Sequence, residues 1–307
     1  MVSLRRLRHR HGERGARALT IGRVSGEFDD DRATQRVRQC AENLPEVDFA
    51  DRRHHHVHTN PLDVGTTVIV PSIGTTFIVP MEVCMLCVFD VNETLLDLAA
   101  LDDFFAGLTG DPSARRDWFD LMIHNALALT AARSYQPFGK IAAACLPAIA
   151  ATRGRTATPE HQRELGERLR RLPAHPDVHE AITRLRAAGF GVVTLTNSVA
   201  TVAEDQLRNA GLRPLVDAVY SADQVGHLKP APEPYQLVLA TEQVAPSDAV
   251  LIAAHGWDIT GAAAAGLATA FVSRGRHRPL PASGTPTFTA TDVDDVATQL
   301  IARHAGR

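Results

Sequence analysis

Three apolar runs in the sequence each stop abruptly at polar side chains that could do chemistry. Residues 85–89 stop at Asp90, and residues 191–195 and 249–254 are also followed by hydroxyl, amide or carboxylate side chains. Unbroken apolar runs are typical of strands buried on both faces of a parallel sheet. Because such sheets place ligands at the carboxyl ends of their strands, we expect these polar ends to share one site. A buried aspartate stays ionised only if partners stabilise its charge, so Asp90 needs such partners nearby.

A fourth stretch, residues 221–235, is a proline-punctuated loop that carries Lys229. Of the 32 basic residues in the chain, only Lys140 and Lys229 are lysines. A lysine ammonium is a compact charge with adjustable donors, whereas the arginine guanidinium is a planar fork. We therefore interpret Lys229 as a functional residue, and the alternative is a solvated loop charge.

These four stretches resemble the four motifs of the haloacid dehalogenase superfamily, in the superfamily's order. They read Phe-Asp-Val-Asn-Glu-Thr-Leu-Leu at 89–96, Leu-Thr-Asn-Ser at 195–198, Leu-Lys-Pro-Ala-Pro-Glu-Pro-Tyr at 228–235 and Ala-His-Gly-Trp-Asp at 254–258. The Thr-Asn, Lys-Pro-x-Pro-x-x-Tyr and Trp-Asp-x-x-Gly-Ala patterns are similar to those of type II (S)-2-haloacid dehalogenases in particular. The resemblance covers the chain from about residue 86 to the C-terminus.

The resemblance implies an α/β fold, with a doubly wound, Rossmann-like parallel sheet as the core and a helical cap inserted after the first strand. The hydrophobic pattern points the same way, because apolar residues recur at helix spacing in four segments after Asp97. These segments are residues 98–108, 113–132, 138–150 and 159–172. Strands and helices then alternate, as in a doubly wound sheet, with helices predicted over residues 176–189 and 291–304.

We therefore expect a core formed by residues 81–97 and 173–307 and a cap formed by residues 98–172. Residues 1–80 differ in composition from the predicted core and cap. They are rich in arginine at first and then mixed in charge, and they lack sustained helical patterning. Within them, residues 64–80 have β-type composition and a near-repeat, Gly-Thr-Thr-x-Ile-Val-Pro, which favours a hairpin. We interpret residues 1–80 as an extension that is disordered or not native, with the natural start at Met81 or Met85.

Composition excludes several classes of partner. A formal net charge of −3 and a pI near 6.5 suggest neither a nucleic acid nor an anionic membrane surface. No apolar run approaches the roughly 20 residues that span a bilayer. Four cysteines make no disulfide framework. We expect a cytoplasmic protein that acts on a small molecule, and a homodimer is left open.

The resemblance also implies a reaction. The first aspartate of the superfamily's motifs is a nucleophile, and Asp90 fills its place. In the dehalogenases this aspartate attacks C2 of a short 2-haloalkanoic acid, halide leaves, and water hydrolyses the aspartyl ester to a 2-hydroxy acid. Lys229 would keep Asp90 ionised, and Asp258 would position or deprotonate the water. These three residues are the predicted catalytic group.

Two departures separate the chain from the superfamily's phosphatases. Asn92 stands where they carry a general-acid aspartate, and Ala254 where they carry a magnesium-binding acid. An amide cannot act as a general acid at neutral pH, and phosphoryl transfer relies on the metal to offset charge. A halide leaves as a weak base and needs neither a general acid nor a metal ion. We therefore expect no metal and no cofactor. The alternatives are a phosphatase-like hydrolase of the same superfamily and a non-catalytic member that keeps the fold.

Eight further side chains are predicted to contact the substrate: Thr94, Thr196, Asn197, Asn92, Arg116, Phe119, His255 and Trp257. The two threonines are expected to hydrogen-bond the reacting carboxyl groups, and Asn197 to hold the halide or the substrate carboxylate. Trp257 is expected to be mainly a packing residue.

Two of these positions depart from the dehalogenases. The resemblance places Phe119 where they present a cap arginine to the substrate, and Arg116, His124 and Asn125 are candidate replacements. His255 stands where an asparagine is usual. It is either a second water-activating base or a hydrogen-bonded loop residue.

Overall fold

The computed structural model describes residues 67–68, 79–80 and 85–306. Residues 67–68 and 79–80 pair as a short antiparallel ladder, as expected of a hairpin over residues 64–80. The other predictions for the first 80 residues lie outside the described residues.

Six parallel strands form the central sheet, which confirms the predicted α/β class. They are β1 (Leu86–Phe89), β2 (Gly191–Thr196), β3 (Ala218–Ser221), β4 (Ala249–Ala253), β5 (Ala268–Val272) and β6 (Phe288–Ala290). Their spatial order is β3-β2-β1-β4-β5-β6, so β1 lies between β2 and β4. In this register Phe89 is level with Thr194 of β2 and Ile252 of β4. The polar ends of the three strands therefore meet at one edge of the sheet.

Four helices lie between β1 and β2: α1 (Asp102–Thr109), α2 (Ala114–Ala131), α3 (Phe138–Ala151) and α4 (Pro159–Leu169). They match the four predicted segments, with two corrections. The first segment begins as a 3-10 turn, Leu98–Leu101, whose second amide hydrogen-bonds the Asp97 side chain at 2.8 Å. The fourth helix ends at Leu169 rather than at residue 172, because a residue that precedes a proline, here Pro173, disfavours the helical conformation.

Five more helices complete the chain: α5 (Val178–Ala187), α6 (Ala200–Asn209), α7 (Pro232–Glu242), α8 (Gly256–Ala264) and α9 (Val293–Ala305). Helices cover both faces of the sheet, because alternate residues of β1 enter different apolar clusters. Cys87 and Phe89 pack with α5 and α9, whereas Leu86 and Val88 pack with α7 and α8. This confirms the doubly wound arrangement.

The chain leaves the core after β1 and returns to it at almost the same point. The amide of Asp97 donates to the carbonyl of Pro173 at 2.9 Å, and the amide of His175 donates to the carbonyl of Leu95 at 2.9 Å. The two connections to the inserted helices therefore run side by side. That residues 98–172 form a separate cap domain stays a prediction.

Among the described residues, no helix is both long enough and apolar enough to cross a membrane. Cys87 and Cys145 are buried and have free thiols.

Candidate active site

Asp90 follows the last residue of β1, and its carboxylate is buried with three partners. Its Oδ1 atom lies 2.9 Å from Lys229 Nζ. Its Oδ2 atom accepts a 2.7 Å hydrogen bond from Thr94 Oγ1 and lies 3.2 Å from His255 Nδ1. Burial raises the pKa of Asp90, but the charge of Lys229 and the contact with His255 outweigh it and hold the pKa well below its usual range. Asp90 is therefore an ionised carboxylate in a site with little water.

Lys229 lies in the loop before α7 and is only 1 % exposed. Its ammonium uses all three donors, to Asp90 Oδ1 at 2.9 Å, to Asp258 Oδ2 at 2.6 Å and to the carbonyl of Leu195 at 2.8 Å. Burial lowers the pKa of Lys229, but the two carboxylates raise it above the ordinary lysine value. Lys229 is therefore not a solvated loop charge, and its catalytic role stays a prediction.

Asn197 fixes the backbone of Lys229. Its Oδ1 atom accepts a 2.8 Å hydrogen bond from the Lys229 amide, and its Nδ2 atom lies 3.4 Å from the Lys229 carbonyl oxygen. Both ends of the Asn197 side chain are thus engaged with the lysine loop. The side chain positions Lys229, and because Asn197 also lines the small cavity at Asp90, its contact with a halide or carboxylate stays a prediction.

Asp258 is fully buried near the start of α8. Its Oδ2 atom accepts from Lys229, and its Oδ1 atom accepts a 2.5 Å hydrogen bond from Tyr235 Oη. Burial and the nearby charge of Asp90 raise the pKa of Asp258. Asp258 is thus the counter-ion of Lys229, and its predicted role in positioning or deprotonating the water stays a prediction.

Gly261 explains how α8 comes so close to the lysine loop. A Cβ atom at this position would lie 2.6 Å from Pro230 Cβ and 2.6 Å from Tyr235 Oη, well inside contact distance. The glycine three residues after Asp258 in the motif is therefore required by packing. Tyr235 was part of the quoted motif but was not singled out as a site residue, because its contact with Asp258 depends on how α7 and α8 pack.

His255 bridges two carboxylates. Its Nδ1 atom lies 3.2 Å from Asp90 Oδ2 and its Nε2 atom 3.2 Å from Glu93 Oε2. The ring stacks between Phe119 and Trp257, with centroid distances of 5.4 and 5.2 Å. Burial lowers the pKa of His255, but hydrogen bonds to the two carboxylates raise it to about 9. His255 is therefore an imidazolium at neutral pH in the absence of substrate.

Glu93 holds His255 from the side opposite Asp90. Its backbone has a φ of 62°, a left-handed conformation that costs a non-glycine residue on the order of 1 kcal/mol. Its carboxylate also contacts His277 Nε2 at 2.6 Å and Arg115 Nη1 at 3.2 Å. These partners offset the strain. Sequence reasoning missed the Glu93 side chain, whose partners come from the insert and from the loop after β5.

The same cluster has ligand types that could hold a metal ion. One ligand atom from each of Glu93, His255 and His277 lies within 4.8 Å of the other two. However, the 2.6 Å between Glu93 Oε2 and His277 Nε2 is a hydrogen-bond distance. Two ligands of a tetrahedral zinc ion would be roughly 3.3 Å apart, given zinc–ligand distances of about 2.0 Å. We therefore describe the cluster as a network of ion pairs.

Several of the other predicted contacts surround a small cavity at Asp90. The side chains that line this cavity include Asn92, Thr196, Asn197, Phe119, His255 and Trp257. Thr94 lies behind Asp90, where it also accepts a 2.9 Å hydrogen bond from the amide of Ala254. Trp257 lies on both His255 and Lys229, with its ring centroid 5.8 Å from Nζ, so it is a packing partner of both cations.

The structure does not bring Arg116 to Asp90. Arg116 is exposed on α2 and lines an outer cleft with Glu93 and Phe119, whereas Phe119, about one turn later, faces His255. His124 is exposed as well, and the Asn125 amide donates to the carbonyl of Leu121 in its own helix at 2.8 Å. None of the three candidates lines the small cavity at Asp90.

A family comparison identifies the class of protein. The family model for haloacid dehalogenase-like hydrolases matches residues 84–266, which is more than half of the chain. The chain belongs to this family. The resemblance inferred from the four motifs is thus confirmed, and the matched range includes Asp90, Lys229 and Asp258.

Curated proteins with different named activities resemble parts of the chain. It is 26% identical over 196 residues to (S)-2-haloacid dehalogenase 1 from Pseudomonas sp. (strain CBS-3), covering 63% of this chain and 86% of that protein. It is 33% identical over 96 residues to pyrophosphatase PpaX from Bacillus thuringiensis (strain Al Hakam), covering 31% and 44%. The structure of L-2-haloacid dehalogenase from Xanthobacter autotrophicus aligns with a TM-score of 0.67 at 21% identity, covering 71% of this chain and 98% of that one. This last likeness shows a common fold.

Proposed function

We propose that the protein hydrolyses a 2-haloacid to a 2-hydroxy acid through an aspartyl ester on Asp90, as an (S)-2-haloacid dehalogenase. The observation that carries the proposal is the bridge formed by Lys229, whose Nζ atom lies 2.9 Å from Asp90 and 2.6 Å from Asp258. A buried ammonium between two carboxylates keeps the nucleophile ionised and fixed. Displacement at carbon needs that arrangement and no general acid.

In the first half-reaction, a carboxylate oxygen of Asp90 attacks C2 of the substrate in line with the carbon–halogen bond. The new carbon–oxygen bond forms as the halide leaves with the bonding electron pair. Asp90 becomes a neutral ester, and its negative charge departs with the halide. The apolar and aromatic walls at Phe119 and Trp257 exclude water during this step.

In the second half-reaction, water attacks the carbonyl carbon of the Asp90 ester. His255 is the group best placed to take its proton, because it lines the same cavity as Asp90, whereas Asp258 is fully buried and does not line that cavity. Esterification removes one of the two charges that keep His255 protonated, so its pKa falls and the imidazolium releases its proton to solvent, which leaves a neutral base. The proton that His255 takes from water passes to the departing alcohol oxygen, and the regenerated Asp90 carboxyl gives its own proton to His255, which restores the starting state.

The rival function is a magnesium-dependent phosphatase-like activity, for which part of the chain resembles a pyrophosphatase. Asn92 and Ala254 disfavour it, since neither side chain can serve as a general acid or bind magnesium through a carboxylate. One assay measures halide release from each enantiomer of 2-chloropropionate, with and without EDTA. A second assay measures phosphate release from p-nitrophenyl phosphate with excess magnesium. We expect EDTA-insensitive halide release from the (S) enantiomer. Magnesium-dependent phosphate release at a higher rate, without halide release, would support the rival.

A further inference from the structure

A cavity of about 250 Å³ lies between the inserted helices and the core, beside the candidate active site. Its walls come mainly from α2, α3 and the start of α6 and are almost wholly apolar. They include Trp118, Met122, Phe138, Ala142, Val199 and Val202. The volume is close to the lower end of the roughly 300–1,000 Å³ that is typical of small-molecule pockets.

The small cavity at Asp90 shares three of its walls, Asn92, Phe119 and Phe138, with this larger cavity. The small cavity has a volume of about 10 Å³, which is room for about one water molecule. It cannot by itself hold the halogen, C2 and carboxylate of a substrate. A molecule that reaches Asp90 therefore extends beyond the small cavity, and the larger cavity adjoins it at Phe119 and Phe138.

Two of the polar groups in the larger cavity's walls are engaged with each other or with the backbone, whereas Lys140, which also lines the cavity, is exposed. Trp118 Nε1 donates to the carbonyl of Ala142 at 2.9 Å. The Asn92 amide accepts from Gln206 at 3.0 Å and donates to Ser198 at 3.3 Å. A carboxylate placed against the apolar walls, away from Lys140, would lose its water without gaining a donor, whereas an alkyl or aryl group would gain from burial.

Building on the dehalogenase function proposed above, on which this assignment rests, we propose that the substrate is a 2-haloacid whose C2 substituent is an apolar chain or ring larger than methyl. The substituent occupies the 250 Å³ cavity while C2 stays at Asp90. Phe119 contributes an apolar wall to both cavities.

The test measures halide release across 2-bromopropionate, 2-bromobutanoate, 2-bromohexanoate and 2-bromooctanoate. We expect kcat/KM to rise by about fourfold for each added methylene until the cavity is full. Val202→Phe fills the cavity, and Thr201→Phe adds the same ring to the exposed side of the same helix as a control. The ratio of kcat/KM for 2-bromooctanoate to kcat/KM for 2-bromopropionate should be at least tenfold lower in Val202→Phe than in the wild-type protein. In Thr201→Phe this ratio should stay within twofold of the wild-type value.

Calorimetric titration with octanoate, which has no halogen, separates binding from chemistry. Octanoate should bind the wild-type protein and the Thr201→Phe variant and bind Val202→Phe much more weakly. Halide release that is flat or falls with chain length, together with no octanoate binding, would overturn the substrate assignment and leave the dehalogenase function intact. Octanoate binding that depends on Val202, with no halide release from any of the four acids, would overturn the dehalogenase function and support the cavity as an apolar-acid site. The absence of both octanoate binding and halide release would overturn both the substrate assignment and the dehalogenase function.

Discussion

Oη of Tyr235 lies 2.5 Å from Oδ1 of Asp258, the carboxylate oxygen that Lys229 does not use. Burial and the adjacent carboxylate raise the pKa of Tyr235 well above its ordinary value, so the phenol remains a donor. Asp258 cannot rotate without breaking hydrogen bonds on both sides. The ammonium of Lys229 therefore contacts two carboxylates, the fixed counter-ion Asp258 and the proposed nucleophile Asp90.

Asp90→Asn should abolish turnover while the protein remains folded. An amide nitrogen and oxygen occupy the same space as the carboxylate, but they cannot supply the anionic nucleophile. A single turnover of the wild-type protein in ¹⁸O-labelled water should place the label in Asp90, and later turnovers should place it in the product. Label in the product of the first turnover would mean direct attack by water.

Lys229→Arg should lower kcat/KM by at least about two orders of magnitude, equivalent to roughly 2.7 kcal/mol. Three acceptors surround Nζ at 2.6 to 2.9 Å in a site with no exposure, and a planar guanidinium cannot satisfy them without displacing Asp90 or Asp258. Arg163→Lys, the reverse exchange on the exposed surface of α4, serves as the control and should retain activity. Near-normal turnover by Lys229→Arg would exclude a direct role for the ammonium.

His255→Gln should separate the two half-reactions. Glutamine can hydrogen-bond Asp90 but cannot take a proton from water, so attack on C2 proceeds and hydrolysis of the ester stalls. We expect a burst of about one halide per active site, and mass spectrometry of the peptide that contains Asp90 should detect the accumulated ester. Steady turnover without a burst and without ester would show that another group activates the water.

The stability of the protein should fall as the pH rises through the pKa of His255. This pKa is raised from 6.5 to about 9 in the folded protein, so its contribution is complete below about pH 6.5 and is lost by about pH 9. The shift corresponds to about 3 kcal/mol of unfolding free energy, as an order of magnitude. Urea unfolding of the wild-type protein between pH 6 and pH 9.5 should detect this loss, and the His255→Gln variant should lack it.

The strand ends could be predicted because they depend on local pattern. An apolar run that stops at Asp90 identifies both the strand and the edge of the sheet where the site lies, and Lys229 is conspicuous in a chain that otherwise uses arginine. Parallel pairing places β1, which ends at Asp90, between β2 and β4, so the motifs that follow these three strands meet at one edge of the sheet.

The surroundings of Asp90 could not be predicted in the same way. Phe119 meets His255 because of how α2 is rotated against the core, and that rotation depends on apolar contacts spread over four helices. Glu93 reaches His255 from a left-handed turn that sequence gives little reason to expect at a glutamate. Both contacts join segments far apart in the chain, so only tertiary packing specifies them.

The side-by-side connections at Asp97 and Pro173 have a consequence for how such a protein can change. An insertion whose two ends already meet can be exchanged for another without stretching the sheet, since the entropy of closing a loop grows only slowly with its length. Asp90, Lys229 and Asp258 belong to the part that would remain, whereas Trp118 and Phe138 belong to the part that would be exchanged. Exchange of this one contiguous segment, by evolution or by engineering, would therefore change which substrates the enzyme accepts and leave Asp90, Lys229 and Asp258 in place.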